Sequence, residues 1–310
     1  MNALPASAVV PARPGPGPGV RRRYLLCPPE HFAVEYAINP WMDPDRPVDR
    51  AVALRQWRAL ASVLRSLGHR VDLLAPEPGL PDMVFTANGA TVVAGRVLVA
   101  RFRHPQRAGE SAAHRRWFEA ARFPRVRTAT EVNEGEGDLL VAGPRILAAS
   151  GFRTTTAAHR EAQRVLGLPV VSLQLTDPRY YHLDTALAVL DDTRVMYYPD
   201  AFAPPARRLL RRLYPDAILA RAPDAAAFGL NAISDGRHVV LPAAARGLAE
   251  QLRAAGFVPV PVSLPELLKA GGGPKCCVLE VRSARGPCPG AEPGLRDRRP
   301  GPGDEERGAR

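Results

Sequence analysis

Short apolar runs alternate with segments of helical period through the middle of the chain. Tyr24-Leu25-Leu26-Cys27 predicts a buried strand that ends at Pro28-Pro29. Residues 48–67 then place Val52, Leu54, Trp57, Leu60, Val63, Leu64 and Leu67 at the spacing of one helix face. Gly68 marks the stop of that helix, because glycine takes the left-handed cap conformation without strain. His69 to Leu74 predicts the next strand, and Thr91 to Ala100 a hairpin turning at Ala94-Gly95. A helix is expected over 110–122, and a second hairpin from Asp138 to Leu147 around Gly143-Pro144. Thr155 to Leu166 reads as a helix and Pro169 to Leu173 as a strand. Thr185 to Leu190 and Val195 to Tyr198 pair across Asp191-Asp192, followed by a helix over 204–213. The remainder reads as a strand from His238 to Leu241, a helix from Ala244 to Ala255 and a strand from Val258 to Val262. A short helix from Pro265 to Ala270 precedes a last strand from Cys277 to Val281. The unit recurs four or five times, which favours α/β or α+β with mixed sheets.

The two ends break this pattern. PARPGPGPG at residues 11–19 can sustain neither helix nor ladder, because proline lacks the donor and glycine costs backbone entropy. Residues 283–310 hold five Pro and six Gly among charged side chains and bury too little to offset ordering. Both ends, 1–23 and 283–310, are therefore expected to be disordered, leaving one folded domain over 24–282. Across 310 residues, 46% hydrophobic content is enough to build a sizeable core.

The net charge of +11 raises the question of a nucleic-acid partner. Its distribution argues against one. Residues 1–23 carry four Arg and no acid, residues 283–310 carry six Arg against five acids, and the rest is spread without a dense cluster. No apolar run reaches the ~18 residues needed to span a bilayer, so no membrane partner is expected. The N-terminus lacks a basic region ahead of an apolar stretch, and four cysteines are too few for a disulfide scaffold, so a reducing cytoplasm is the expected compartment. Neither GxGxxG after a strand nor GxxxxGK[ST] occurs, and the histidines form no HxxxH or HxH pattern, so neither a nucleotide cofactor nor a metal is expected.

Several segments could carry chemistry. Cys276-Cys277 follows GGGPK, where a cysteine at a glycine-rich strand entry is exposed enough to react; two small core residues are the alternative. His182-Leu183-Asp184 would put two polar side chains on one strand face. Glu134-Gly135-Glu136-Gly137-Asp138 gathers three carboxylates in a bendable segment, suited to a cationic substrate or an imidazolium. Asp82 and Asn88 flank apolar sequence in PDMVFTANGA. Arg107 and Arg153 lie in predicted loops, where a guanidinium fork could hold a carboxylate bidentately.

Taken in order, PDMVFTANGA, FRHPQR, NEGEGDLL, GFRT, YHLDTAL, LNAISDGRHVVLP and GGGPKCC resemble the guanidine-modifying (amidinotransferase) superfamily, which includes dimethylargininase, arginine deiminase, arginine dihydrolase and glycine amidinotransferase. The resemblance covers Tyr24 to Arg282. It implies a five-bladed α/β propeller (pentein) of ββαβ units and no cofactor. It makes Cys276 the nucleophile, His182 the general acid/base and Asp184 a guanidinium-binding carboxylate. Glu134 matches the carboxylate that orients the histidine, with Glu136 as the alternative. Arg107 and Arg153 match clamps for the substrate α-carboxylate, and Asp82 the acid of a substrate loop that also carries Phe85. Dimethylargininases usually have Glu-Asp where this chain has Ala87-Asn88, and Asn88 and Asn39 instead resemble the arginine dihydrolase pattern. The implied activity is hydrolysis of arginine or an Nω-methylated arginine. Transfer of the amidino group to an amine, or a non-catalytic basic binding protein, are the alternatives.

Overall fold

A computed structural model describes residues 16–283. The chain begins with β1 (Arg23–Leu26), α1 (Arg50–Ser66) and β2 (Arg70–Leu73), in which β1 and β2 pair in parallel. The next blade is β3 (Ala90–Val93), β4 (Arg96–Val99), α2 (Glu110–Ala120) and β5 (Arg125–Thr128). β6 (Leu139–Ala142), β7 (Arg145–Ser150), α3 (Thr156–Leu166) and β8 (Val170–Gln174) repeat it. A short α4 (Leu183–Ala186) leads into β9 (Leu187–Val189), β10 (Val195–Tyr197), α5 (Pro204–Leu213) and β11 (Ile218–Leu219). After α6 (Ala222–Ala226) come β12 (Ile233–Ser234), β13 (His238–Pro242), α7 (Arg246–Ala254) and β14 (Val258–Val262). Finally α8 (Pro265–Leu268) precedes β15 (Leu279–Glu280), which returns to pair antiparallel with β1 and completes the first blade.

Among the described residues, five three-stranded sheets result. In each, the middle strand is antiparallel to the first and parallel to the third, the helix supplying the crossover that parallel strands need. This is the five-bladed α/β propeller.

In every blade the third strand is the most exposed. The first strands are almost wholly buried, as in β3 and β6, whereas third strands such as β2 and β5 are largely open to solvent. The first strands therefore surround the axis and the third strands form the rim. Alternate residues of the inner strands face opposite neighbours. Leu139 joins a cluster with Leu98 and Leu166, while Leu140 joins one with Tyr197 and Leu210. Leu25 and Leu26 divide in the same way. Burial on both faces explains why these strands read as continuous apolar runs. The five hydrophobic clusters lie between adjacent blades, so the core is itself a ring. On the axis lies a cavity of about 200 Å³, lined by Tyr24, Leu140, Leu187, Ile233, Lys275 and Val278 among others.

Most expected elements occur with their ends shifted by a few residues. The ordered body starts earlier than Tyr24, correcting the reading of 1–23 as a tail: Arg23 opens β1, Val20 N–H donates to Asp235 O at 2.9 Å, and Arg22 pairs with Glu280 at 2.7 Å. Charge pairing and backbone bonding hold a stretch whose composition alone gives no apolar reason to order. Residues 1–15 and 284–310, including nearly all of the expected C-terminal tail, lie outside the described residues. No helix among the described residues is long and apolar enough to cross a membrane.

Candidate active site

Several expected site residues fall on the turns before the inner strands, whereas Arg107 and Arg153 follow the middle strands β4 and β7 and Asn39 lies in the loop after β1. Asn88 stands two residues before β3, Glu134 and Glu136 precede β6, Asp184 precedes β9 and Cys276 precedes β15. Asp82, Asn88, Arg107, Glu134, Arg153, His182, Asp184 and Cys276 are all buried, Phe85 is buried beside Phe32, and Asn39 is partly exposed.

Cys276 is buried rather than exposed, and the last strand starts only at Leu279. The turn that carries it packs inward, and Ala87 N–H donates to Cys276 O at 3.0 Å, tying it to the loop that carries Asp82 and Asn88. The sulfur lies 3.4 Å from Asp184 Oδ2 and 3.0 Å from Asn231 Nδ2. Burial and the neighbouring Asp184 carboxylate push the Cys276 thiol well above its ordinary value. Burial likewise raises Asp184 itself, to about 7.

His182 and Asp184 do not share a strand face. The segment turns helical because Asp138 Oδ1 accepts Leu183 N–H at 3.0 Å and Thr185 Oγ donates to His182 O at 2.7 Å. His182 is the cap residue of α4 and Asp184 lies in its first turn, so the two side chains diverge to different partners. His182 Nε2 donates to Glu134 Oε2 at 2.7 Å; the carboxylate can only accept, so the proton sits on Nε2 and Nδ1 is left unpaired. Burial opposes the charge on Glu134, but Arg153 and His182 outweigh it and hold the carboxyl well below its ordinary value. Glu136 is directed elsewhere: it accepts from Lys275 Nζ and Glu280 N–H and pairs with Arg282. The geometry gives the histidine's partner as Glu134.

The two arginines differ from the sequence expectation. Arg107 turns its fork onto Glu110, with Nε–Oε1 and Nη2–Oε2 both 2.8 Å, and donates through Nη1 to Asn88 Oδ1 at 2.9 Å. Arg153 donates through Nη1 to Glu134 and through Nη2 to Ile38 O. Buried carboxylates need cationic partners more strongly than a solvated ligand does, so neither fork stands open for a bidentate carboxylate clamp. Each guanidinium still carries further N–H groups.

The loop after β1 spans the site. Tyr36 Oη donates to Asp82 Oδ2 at 3.0 Å, and Asn39 Nδ2 donates to Ala270 O at 3.1 Å. Trp41 Nε1 donates to Arg179 O, and the Trp41 ring meets Phe228 edge-on. The glycines give the close approaches. A Cβ on Gly272 would stand 2.0 Å from Phe85 Cε1, and one on Gly137 would stand 2.4 Å from Asn88 Nδ2 and 3.2 Å from the His182 ring.

A family model for eukaryotic N,N-dimethylarginine dimethylhydrolases matches residues 29–283. The chain belongs to this family. It is a hydrolase acting on amidines. It is 58% identical over 260 residues to the N(G),N(G)-dimethylarginine dimethylaminohydrolase of Mycobacterium tuberculosis, covering 84% of this chain and 86% of that one. It is 37% identical over 267 residues to the bifunctional arginine dihydrolase/ornithine cyclodeaminase AgrE of a Nostoc species, covering 84% of this chain but only 38% of that protein. Of solved structures, the substrate-bound N-terminal domain of the cyanobacterial arginine dihydrolase ArgZ superposes with a TM-score of 0.81 at 36% identity, covering 84% of this chain and 98% of that one.

Within this dimethylarginine dimethylhydrolase family member, sequence reasoning missed Asn231, Glu110 and Tyr181. Tyr181 Oη donates to Gly271 O at 2.7 Å, and Arg153 stacks 4.8 Å over its ring. Asn231 had a signal: it stands two residues before β12, as Asn88 stands two before β3. Glu110 had none, since an acid at a helix start reads as a solvated first-turn residue.

Proposed function

We propose that this chain hydrolyses the guanidinium group of arginine or an Nω-methylated arginine through a covalent S-alkylthiouronium on Cys276. One observation carries the reading: a buried thiol lies against the Asp184 carboxylate in a site that also holds a His182–Glu134 pair. Unpaired buried atoms at Asp82 Oδ1, Asn88 Nδ2, His182 Nδ1 and Asp184 Oδ1 support it, because such groups are costly without a partner.

The chemistry follows from charge. Guanidinium is resonance-stabilised and a poor electrophile. Asp184 binds it as a cation, and the cation in turn offsets the field that Asp184 imposes on Cys276, so that the thiol releases its proton to solvent as substrate binds and becomes thiolate. The thiolate attacks the guanidinium carbon and the π pair moves onto nitrogen. His182, protonated at Nδ1 and held through Nε2 by Glu134, gives that proton to the departing amine as the C–N bond breaks. Neutral Nδ1 then takes a proton from water, whose oxygen attacks the thiouronium carbon. Breaking the C–S bond returns the pair to sulfur and leaves a ureido product. Remaining N–H groups of Arg107 and Arg153 supply positive potential for the substrate carboxylate, with Asn39, Asp82 and Phe85 shaping the pocket around the chain of the amino acid.

Asn88 favours a second reading at the same site. Arg107 can only donate, so the Asn88 carbonyl faces Arg107 and its NH₂ group faces the site. A neutral donor there suits a ureido oxygen, which supports a further hydrolysis of citrulline to ornithine, carbon dioxide and ammonia. Mass spectrometry of products from arginine and from asymmetric dimethylarginine tests both readings. Citrulline with dimethylamine marks the methylated substrate, and ornithine marks the double hydrolysis. All turnover should vanish in Cys276→Ser; a variant that keeps it overturns the nucleophile assignment.

A further inference from the structure

We infer that Asn231 is a catalytic residue, the N–H donor that holds the Cys276 sulfur and stabilises it as an anion. The inference rests on the reading of Cys276 as the nucleophile. It starts from the orientation of one carboxamide. Asn231 is fully buried and touches three groups: Cys276 N–H at 3.1 Å, Asp184 C=O at 3.2 Å and Cys276 Sγ at 3.0 Å. A backbone N–H can only donate and a backbone carbonyl can only accept. Asn231 Oδ1 therefore faces Cys276 N, and Nδ2 faces Asp184 O and the sulfur. One Nδ2 hydrogen is committed to the carbonyl, and the other points at Sγ. The amide cannot flip without facing like against like at both backbone groups.

The two polar neighbours of the sulfur act in opposite senses. Asp184 Oδ2 accepts, so it favours the thiol; Asn231 Nδ2 donates, so it favours the thiolate. When the thiol loses its proton it can no longer donate to Asp184, and the Asn231 hydrogen bond needs no rearrangement to serve the anion. The same donor is in place when the C–S bond breaks and its electron pair returns to sulfur. The proton stays on Nδ2 throughout, so this is stabilisation by a preorganised dipole and not proton transfer.

The surroundings are built around this contact. The Asn231 carbonyl also accepts Lys275 N–H at 3.4 Å, so backbone and side chain together grip the turn that carries the nucleophile. A Cβ on Gly273 would stand 2.7 Å from Asn231 Oδ1. The third glycine before the nucleophile thus leaves the space that the carboxamide fills.

The test reads Cys276 directly, without turnover. The full chain and its Asn231→Asp and Gly273→Ala variants are treated with iodoacetamide over a range of pH, and modification at Cys276 is followed by mass spectrometry. Asn231→Asp keeps the shape and replaces the donor at sulfur with an acceptor; Gly273→Ala displaces the carboxamide without changing it. Both should slow alkylation at about pH 8 by about tenfold or more and move its midpoint upward by about one unit. kcat should fall by about a hundredfold with KM changed by less than about threefold. An alkylation profile indifferent to both substitutions overturns the inference. Should neither variant fold, the wild-type chain decides: the Asn231 Nδ2–H proton resonance should move with pH in step with Cys276 alkylation and stay fixed in Cys276→Ser. No movement in the wild type overturns it equally. Full turnover in Cys276→Ser would instead remove the nucleophile reading, an outcome separate from either of these.

Discussion

Asp184 serves two opposed demands at the scale of a single residue. The guanidinium-binding role proposed for it needs the ionised form, and burial resists that form, raising it to about 7. As pH falls through about 7 the carboxylate takes a proton and loses its hold on a cation. The measured log(kcat/KM) should therefore decline on the acid side of about 7, and a profile flat to pH 5 would count against the role given to Asp184. Stability carries the opposite sign. A carboxyl whose folded value lies above its unfolded value binds protons more tightly when folded, so its destabilisation develops between about pH 4 and 7 and is complete above. Asp184→Asn cannot ionise. It should raise Tm relative to the wild type at pH 8, show little gain near pH 4, and abolish turnover, as thermal scans and assays at the two pH values would register. Residue types and motif order made most of the site's members legible in the sequence. Their partners were less so. Nothing in the local sequence says that His182 meets Glu134 rather than Glu136, because that choice is fixed by the packing of separate blades, and the Arg107–Glu110 pair, though only three residues apart, is hidden because nothing local says that both are buried.

At the scale of elements, legibility followed burial. The inner strands and the amphipathic helices were readable because apolar side chains mark them. β5, with sequence RVRT, was not: a rim strand exposed on most of its length has no apolar alternation to betray it. β11 and β12, of two residues each, are too short for any periodic signal. The turn into α4 was misread as strand because its helical start is supplied from another blade by Asp138. Two substitutions separate element stability from site geometry. Asp49 caps α1 by accepting Val52 N–H at 2.9 Å, far along the chain from the chemistry. Asp49→Ala should cost about 1 kcal/mol in denaturant unfolding and leave kcat unchanged. Gly137→Ala does the reverse. Its Cβ drives against the Asn88 amide and the His182 ring, so kcat should fall by about tenfold or more, with a Tm change small beside that of a core truncation.

For the molecule as a whole, stability resides in the interfaces between blades. Leu147 is fully buried with Leu140, Leu187 and Leu210 where the third and fourth blades meet. Leu147→Ala should cost about 2–5 kcal/mol by equilibrium unfolding. A much smaller loss would mean that each blade is stable alone and the interfaces contribute little. The closing of the ring by β15 bears on how the molecule matures. Among the described elements, β1 is synthesised first and its antiparallel partner last. Until that partner arrives, one inner edge stays unpaired and Cys276, three residues before β15, has no fixed place. The carboxylates and histidine that face the axis are synthesised long before the thiol. On the proposed reading, the cradle for a cation is synthesised well ahead of the atom that would attack it, and the arrival of β15 is the step that arms the site.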